Sequence, residues 1–126
     1  CAHDAAREAD RAFSAGLARV DGVELWVVST RPPRVRVEVR GALPDACTEI
    51  DRVETQRLVA QVEIRITTRR AFGARCEPEE VPFTRSIPVM LGYEFRLWVV
   101  DVNGTSGSVS LPPERGPQGH DLPYRN

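Results

Sequence analysis

Apolar and polar residues alternate with a period of two along most of the chain from Asp21 onward. The clearest run is 34–40, where Val35, Val37 and Val39 alternate with arginine and glutamate. Successive side chains of a strand point to opposite faces, so this run predicts a half-buried antiparallel strand with one wet face. Similar runs predict further strands at 23–28, 47–57, 60–67, 81–89, 93–100 and 106–111.

Turn residues and breaks in the alternation refine these strands. Asn103-Gly104 predicts a type I′ hairpin, because that turn needs positive φ at both central residues. Ile50 and Val53 cannot share a face of one regular strand, so we expect a β-bulge between them. Pro82 and Pro88 mark the 81–89 run as an edge strand, since proline cannot donate to a ladder.

The two ends of the chain have different compositions. In residues 4–20, apolar residues recur at steps of three and four, which predicts a short amphipathic helix or a tether over 1–20. Residues 112–126 are rich in Pro and Gly and predict a disordered tail. Between them, residues 21–111 are expected to form an all-β domain, an antiparallel β-sandwich of about seven strands.

This strand arrangement resembles that of immunoglobulin-like domains. The likeness includes Gly92-Tyr93 before a late strand, where some sandwiches keep a tyrosine corner, although no Trp lies between Cys47 and Cys76. The segment 43–111, with its Leu-Pro-Asp-x-Cys-Thr opening and its Val-Asn-Gly-x-x-Gly hairpin, also resembles uncharacterised bacterial envelope proteins. That second resemblance implies no particular activity.

Three cysteines bear on where the protein works. Cys47 and Cys76 flank two predicted strands, and we expect them to form a disulfide, a bond that persists outside the reducing cytosol. Cys1 is left over, and Cys1-Ala2-His3-Asp4 resembles the start of mature bacterial lipoproteins. That resemblance implies a lipid-modified Cys1, attachment to a membrane and an extracytoplasmic location. The alternative is that residue 1 is an arbitrary chain boundary.

Residues capable of catalysis or metal binding are sparse. His3 and His120, the only histidines, fall in the predicted termini, where a catalytic site would lack a rigid scaffold. Cys47 and Cys76 have no nearby histidine, so a disulfide is favoured over zinc. The acidic run Glu77, Glu79 and Glu80 is better explained as a solvated loop than as a calcium site. The sequence predicts no enzyme, no cofactor and no metal site.

Two surface features are candidates for binding. Trp26 and Trp98 fall in the phase opposite the expected core sets Val23/Leu25/Val27 and Phe95/Leu97/Val99. They either form a ligand or partner surface or, if the N-terminal segment covers them, a second small core. The arginines Arg31, Arg34, Arg36 and Arg40 could bind an acidic polymer, or could form a mixed solvated face with nearby glutamates. The formal charge of −1 gives no reason to expect nucleic acid.

These features support two hypotheses. In the first, the protein is a non-catalytic envelope lipoprotein that binds an envelope protein or polysaccharide through its loops or its Trp-bearing face. In the second, it is a structural spacer or assembly subunit that pairs through a strand edge. An exposed tryptophan patch favours the first, and an unprotected edge strand favours the second.

Overall fold

The computed structural model describes residues 13–112, and within them the chain forms eight strands and no helix. In chain order they are β1 Phe13–Leu17, β2 Arg19–Thr30, β3 Pro33–Leu43, β4 Thr48–Leu58, β5 Gln61–Ala71, β6 Val81–Met90, β7 Leu97–Val102 and β8 Thr105–Ser110. The strands form two sheets around one buried apolar core, which confirms the predicted all-β sandwich. None of the described residues forms a helix long and apolar enough to cross a membrane.

The five-stranded sheet is built around β5. One side of β5 pairs with β4 along its length. The other side pairs in parallel with β7 at residues 61–64 and antiparallel with β1 at residues 67–71. β8 pairs with β7 and completes this sheet, while the second sheet has the order β2-β3-β6. An immunoglobulin-like sandwich consists of antiparallel sheets, so the parallel β5–β7 pair does not support that assignment.

The helix predicted near the N-terminus is wrong for residues 13–20. β1 and β2 form a nearly continuous extended run that leaves the five-stranded sheet at Ala18 and enters the three-stranded one. Without β1, the backbone of β5 at residues 67–71 would have an unpaired edge, so strand pairing outweighs the local helical spacing. Gly16 suits the close approach, because a Cβ there would lie 3.2 Å from Thr68 Oγ1. The rest of the predicted helix or tether lies outside the described residues.

The buried residues confirm which side chains of β3 were predicted to face the core, and they reverse that prediction for β7. Val35, Val37 and Val39 are buried, as expected. On β7, however, Trp98, Val100 and Val102 face the core, whereas Leu97 is 56% exposed. Residues 91–96 are irregular rather than part of the strand, and the parallel pairing with β5 sets the phase of β7 from Leu97 onward.

Three local predictions are confirmed. The pairing of β4 with β5 shifts register between Ile50 and Arg52, and this bulge lets Ile50 and Val53 both pack against the core. Asn103 and Gly104 have φ angles of 50° and 94°, and they connect β7 and β8 in a tight hairpin. β6 is the predicted edge strand of the three-stranded sheet.

Candidate functional site

The two tryptophans do not share a surface. Trp98 is 1% exposed, and its indole N–H donates to the Phe95 carbonyl at 3.0 Å. Phe95 packs against it edge-on, and the Arg57 guanidinium lies 5.6 Å from the ring centroid. Trp26 is 53% exposed on β2. Neither predicted alternative describes the pair: Trp98 is turned inward by the phase of β7, so the two do not form a joint surface, and Trp26 is exposed, so they do not form a shared second core.

Strand register places Trp26 on the outer face of the three-stranded sheet. Trp26 lies opposite Arg36, which lies opposite Pro88 on β6. The neighbouring row joins Arg34 to Met90. We call this surface the Trp26 face, and it consists of Trp26, Val28, Arg34, Arg36, Pro88 and Met90.

A shift in the β2–β3 register shapes one side of this face. Val27 pairs with Val35 and Ser29 pairs with Arg34, so Val28 has no partner in register and is 61% exposed. A groove of about 540 Å³ lies between Val28 and the β6 side chains Pro88 and Met90. Its lining is mainly apolar, with the two arginines of the Trp26 face as its cationic groups. Such a groove suits a ligand with an apolar surface and a negative charge.

The arginines of the face differ in their partners. The Nε of Arg36 lies 2.7 Å from Glu38 Oε2. The guanidinium of Arg34 has no ion pair or hydrogen bond to any residue in the described part of the chain. Arg40 lies toward the other end of β3, where its side chain covers Gly22. Glu24 and Glu38 lie opposite each other in the row between Arg36 and Arg40. Three of the four arginines in the predicted cluster, Arg34, Arg36 and Arg40, thus share a face of β3, and the glutamates divide this face into separate cationic regions. Arg31 precedes β3.

Cys47 and Cys76 form the predicted disulfide, with Cα atoms 6.0 Å apart. Beside it, the buried Asp45 carboxylate accepts hydrogen bonds from the Cys47 N–H at 2.9 Å, Thr48 Oγ1 at 2.9 Å and Arg70 Nε at 3.0 Å. Burial raises the pKa of Asp45, but these three hydrogen bonds outweigh that effect and hold the pKa below its usual value of 3.8. The cluster fixes the start of β4 to the end of β5.

The same cluster is the one group among residues 13–112 whose cysteine and carboxylate atoms lie close enough to hold a metal ion. Its two sulfurs are bonded to each other, so neither is a free thiolate ligand. In the predicted acidic loop, Glu80 pairs with Arg19. Cys1, His3 and His120 lie outside the described residues, so their predicted roles stay predictions.

Sequence reasoning missed Val28, Pro88 and Met90 as members of the candidate site. Pro88 and Met90 occupy the outward phase of β6, a signal that the alternation contained. Their proximity to Trp26 depends on the order β2-β3-β6, which the sequence did not predict. Val28 faces outward because of the register shift, which no single strand pattern reveals.

Comparison with known proteins gives the chain relatives but no function. Three uncharacterised 10.2 kDa proteins of Herpetosiphon aurantiacus match at 30% identity. The one described as lying in the HgiCIIM 5′ region aligns over 70 residues, or 56% of this chain and 74% of its own length. Those of the HgiBIM and HgiEIM 5′ regions each align over 80 residues, or 64% of this chain and 98% of their own length. No solved structure matches significantly.

A family profile shows which part of the fold is shared. The profile of the ORF11 beta-sandwich domain matches residues 37–111, from the middle of β3 to just past β8. Pro88 and Met90 lie within the match, whereas Trp26, Val28 and the two arginines of the Trp26 face precede it. The Trp26 face is therefore built partly from residues outside the matched region. The chain belongs to the ORF11 beta-sandwich domain family.

Proposed function

We propose that this protein is a non-catalytic binding module of the bacterial cell envelope and that it engages its partner through the Trp26 face. The observation that carries the proposal is the exposed indole of Trp26, beside an apolar groove and an arginine without a counter-ion among the described residues. Tryptophan and arginine are the residues that most often dominate binding energy at interfaces.

The chemistry of the Trp26 face suits binding better than catalysis. Its ionised groups are guanidinium groups, which stay protonated and therefore serve poorly as general bases. They are well suited to recognising carboxylate or phosphate groups through paired N–H donors. Trp26 supplies a large flat surface that loses little conformational entropy on binding.

Two observations support an envelope location. The Cys47–Cys76 disulfide is of a kind that persists outside the reducing cytosol. The sequence Cys1-Ala2-His3-Asp4 resembles the start of mature lipoproteins, and acylation of Cys1 would hold the protein at a membrane surface. The anchor and the binding face are separate parts of the proposal.

The open edge of β6 gives less support to the alternative role, in which the protein is a spacer that assembles through strand edges. The N–H of Leu91 donates to the Pro33 carbonyl, so the odd-numbered residues of β6 direct their backbone groups toward β3. The open side of β6 therefore carries Pro82 and Pro88, which have no N–H to donate. Arg85 is a charged residue in the core-facing phase of this edge strand, another device that opposes edge pairing.

Co-sedimentation with isolated cell envelopes of the source organism tests the binding role. We expect the wild-type domain and Tyr93→Ala to sediment with the envelopes, and Trp26→Ala to remain in solution. Tyr93 is a matched control, because it is 57% exposed and does not belong to the Trp26 face. Equal sedimentation of Trp26→Ala and Tyr93→Ala would refute the proposed face. Intact mass of the native protein, with and without an acyl increment on Cys1, tests the anchor separately.

A further inference from the structure

We propose that the ligand of the Trp26 face is a polysaccharide bearing carboxylate groups. In this arrangement one acidic sugar stacks on the Trp26 indole, and its carboxylate binds between Arg34 and Arg36. The inference rests on the proposed function, and it names the ligand class for the same face. Three features of the face support it: a free aromatic platform, an unbalanced cationic pair and an apolar groove alongside.

The platform is the exposed ring of Trp26. Within residues 13–112, cation–π contacts involve Trp98 and Phe13, so no arginine covers Trp26. Its indole N–H also has no hydrogen-bond partner there, so it can donate to a ligand hydroxyl. The face of an aromatic ring is electron-rich and attracts the weakly positive C–H groups on one side of a pyranose. A flat exposed indole on a rigid sheet suits that contact.

The cationic pair lies within reach of a sugar placed on this ring. Arg36 is directly opposite Trp26 in register, at a Cβ–Cβ separation of about 5 Å for such pairs. Arg34 projects from the same face two residues along β3, about 6.6 Å from Arg36 along the strand. Of these two arginines, Arg36 has a carboxylate partner, Glu38, whereas Arg34 has none among the described residues. The charge balance therefore favours one added carboxylate at this pair.

The remaining surface limits which anionic polymer fits. Pro88 and Met90, on the other side of the arginines, can contact the apolar face of a neighbouring sugar. Glu24 and Glu38 stand opposite each other in the next row. A phosphate backbone that ran along β3 would meet these carboxylates, so the face disfavours a nucleic acid. A glycan whose charges alternate with hydroxyls can cross the strands at the level of the arginines.

Isothermal titration calorimetry with an oligomer of galacturonic acid and its fully methyl-esterified form tests the ligand class. The ester keeps the sugar rings and removes the charges. We expect the acid form to bind, and the ester to bind at least about tenfold more weakly. Trp26→Ala should weaken binding of the acid form by at least about tenfold. Arg34→Gln and Arg36→Gln should each weaken it severalfold, and binding should weaken further as salt is raised.

Two variants serve as matched controls. Tyr93→Ala removes another exposed aromatic ring, and Arg65→Gln removes an exposed arginine from the other sheet. Both should bind the galacturonate oligomer as the wild type does. The thermal midpoint of Trp26→Ala should match that of the wild type, which shows that lost binding reflects a lost contact. Binding lost equally in the controls would overturn the assignment to the Trp26 face.

The remaining outcomes separate the ligand class from the general function. Equal affinity for the acid and the ester would overturn the role of the arginines, and an oligothymidylate bound as tightly as the galacturonate would show a general polyanion site. If the acid form does not bind while envelope co-sedimentation still depends on Trp26, the ligand class is wrong and the binding function stands. If neither assay depends on Trp26, both proposals fail.

Discussion

Asn103 lies in the turn between β7 and β8, and its side chain binds β5 and Ala18, the residue between β1 and β2. Its removal should destabilise the domain substantially. Its Oδ1 accepts the N–H of Ile66 at 2.9 Å, and its Nδ2 donates to the carbonyls of Ile66 at 3.0 Å and Ala18 at 2.7 Å. β7 ends beside residue 64 of β5, and β1 begins to pair at residue 67. The Asn103 amide thus fills the gap between β7 and β1 along the same edge of β5.

The expected loss follows from these contacts. Each hydrogen bond contributes about 1 kcal/mol net, so three of them give about 3 kcal/mol. Asn103 also has a φ of 50°, a conformation that costs alanine roughly 1 kcal/mol more than it costs asparagine or glycine. Asn103→Ala should therefore lower the free energy of unfolding by about 4 kcal/mol. Asn103→Asp keeps the acceptor, loses both donors and turns a carboxylate oxygen toward the carbonyls of Ile66 and Ala18, so it should also destabilise the domain, by about 2 kcal/mol or more.

Urea unfolding followed by circular dichroism measures these differences. Gly104→Ala is the matched control, because Gly104 has a φ of 94° and a Cβ there would meet no atom within 4 Å. It adds backbone strain in the same turn and removes no side-chain bond, so it should cost about 1–2 kcal/mol. If Asn103→Ala and Gly104→Ala lose the same stability, the side-chain bonds contribute nothing and the reasoning is refuted.

Three further predictions concern stability. The disulfide closes a sequence separation of 29 residues, so replacing Cys47 and Cys76 by Ser should cost about 3.5 kcal/mol on the chain-entropy model and lower the thermal midpoint of the domain markedly. An unchanged midpoint would contradict this, and reductant should not affect the double variant. Trp98→Ala should cost about 3–5 kcal/mol in urea unfolding, whereas Trp26→Ala should change stability by less than about 0.5 kcal/mol. The pKa of Asp45 is held below 3.8 in the folded protein. The ionised carboxylate therefore stabilises the fold fully at pH values above 3.8, and this stabilisation is lost as the pH falls through the lowered pKa. When the free energy of unfolding is measured at pH values from 6 to 2, the wild type should be more stable than Asp45→Asn at pH 6, and this difference should shrink in acid. A difference that stays constant would contradict the hydrogen-bond assignment.

Strand positions were predictable where one face of a strand is buried along its whole length. The run around Val37 shows perfect alternation because β3 is central in its sheet and packs on the core. The hairpin at Asn103-Gly104 was predictable because positive φ restricts the residue types. β1 was missed because each of its residues is exposed, so its sequence carries no alternation that marks a buried face. Its extended form depends on the free edge of β5, which is a tertiary feature.

The candidate site was predictable only in part, because its assembly also depends on pairing between strands that are distant in sequence. The outward phases of Trp26 and of the β3 arginines could be read from alternation within each strand. The phase of Trp98 could not, because the apolar residues between Tyr93 and Val102 alternate in both registers, and the parallel contact with β5 decides between them. Pairing between strands distant in sequence also brings Met90 opposite Arg34. Individual residues of the site were therefore visible in the sequence, whereas their assembly was not.

The direction in which the chain runs through the sandwich relates the position of the proposed anchor to that of the proposed binding face. Phe13 pairs with Ala71 at the end of the sandwich that holds the disulfide, so the described part of the chain starts at that end. The β2 strand then leads away from that end to Thr30, which pairs with Pro33. From Phe13 to Trp26 an extended chain covers roughly 40 Å. The Trp26 face therefore lies toward the end of the sandwich opposite the disulfide, so the proposed anchor and the proposed binding face do not compete for the same end of the domain.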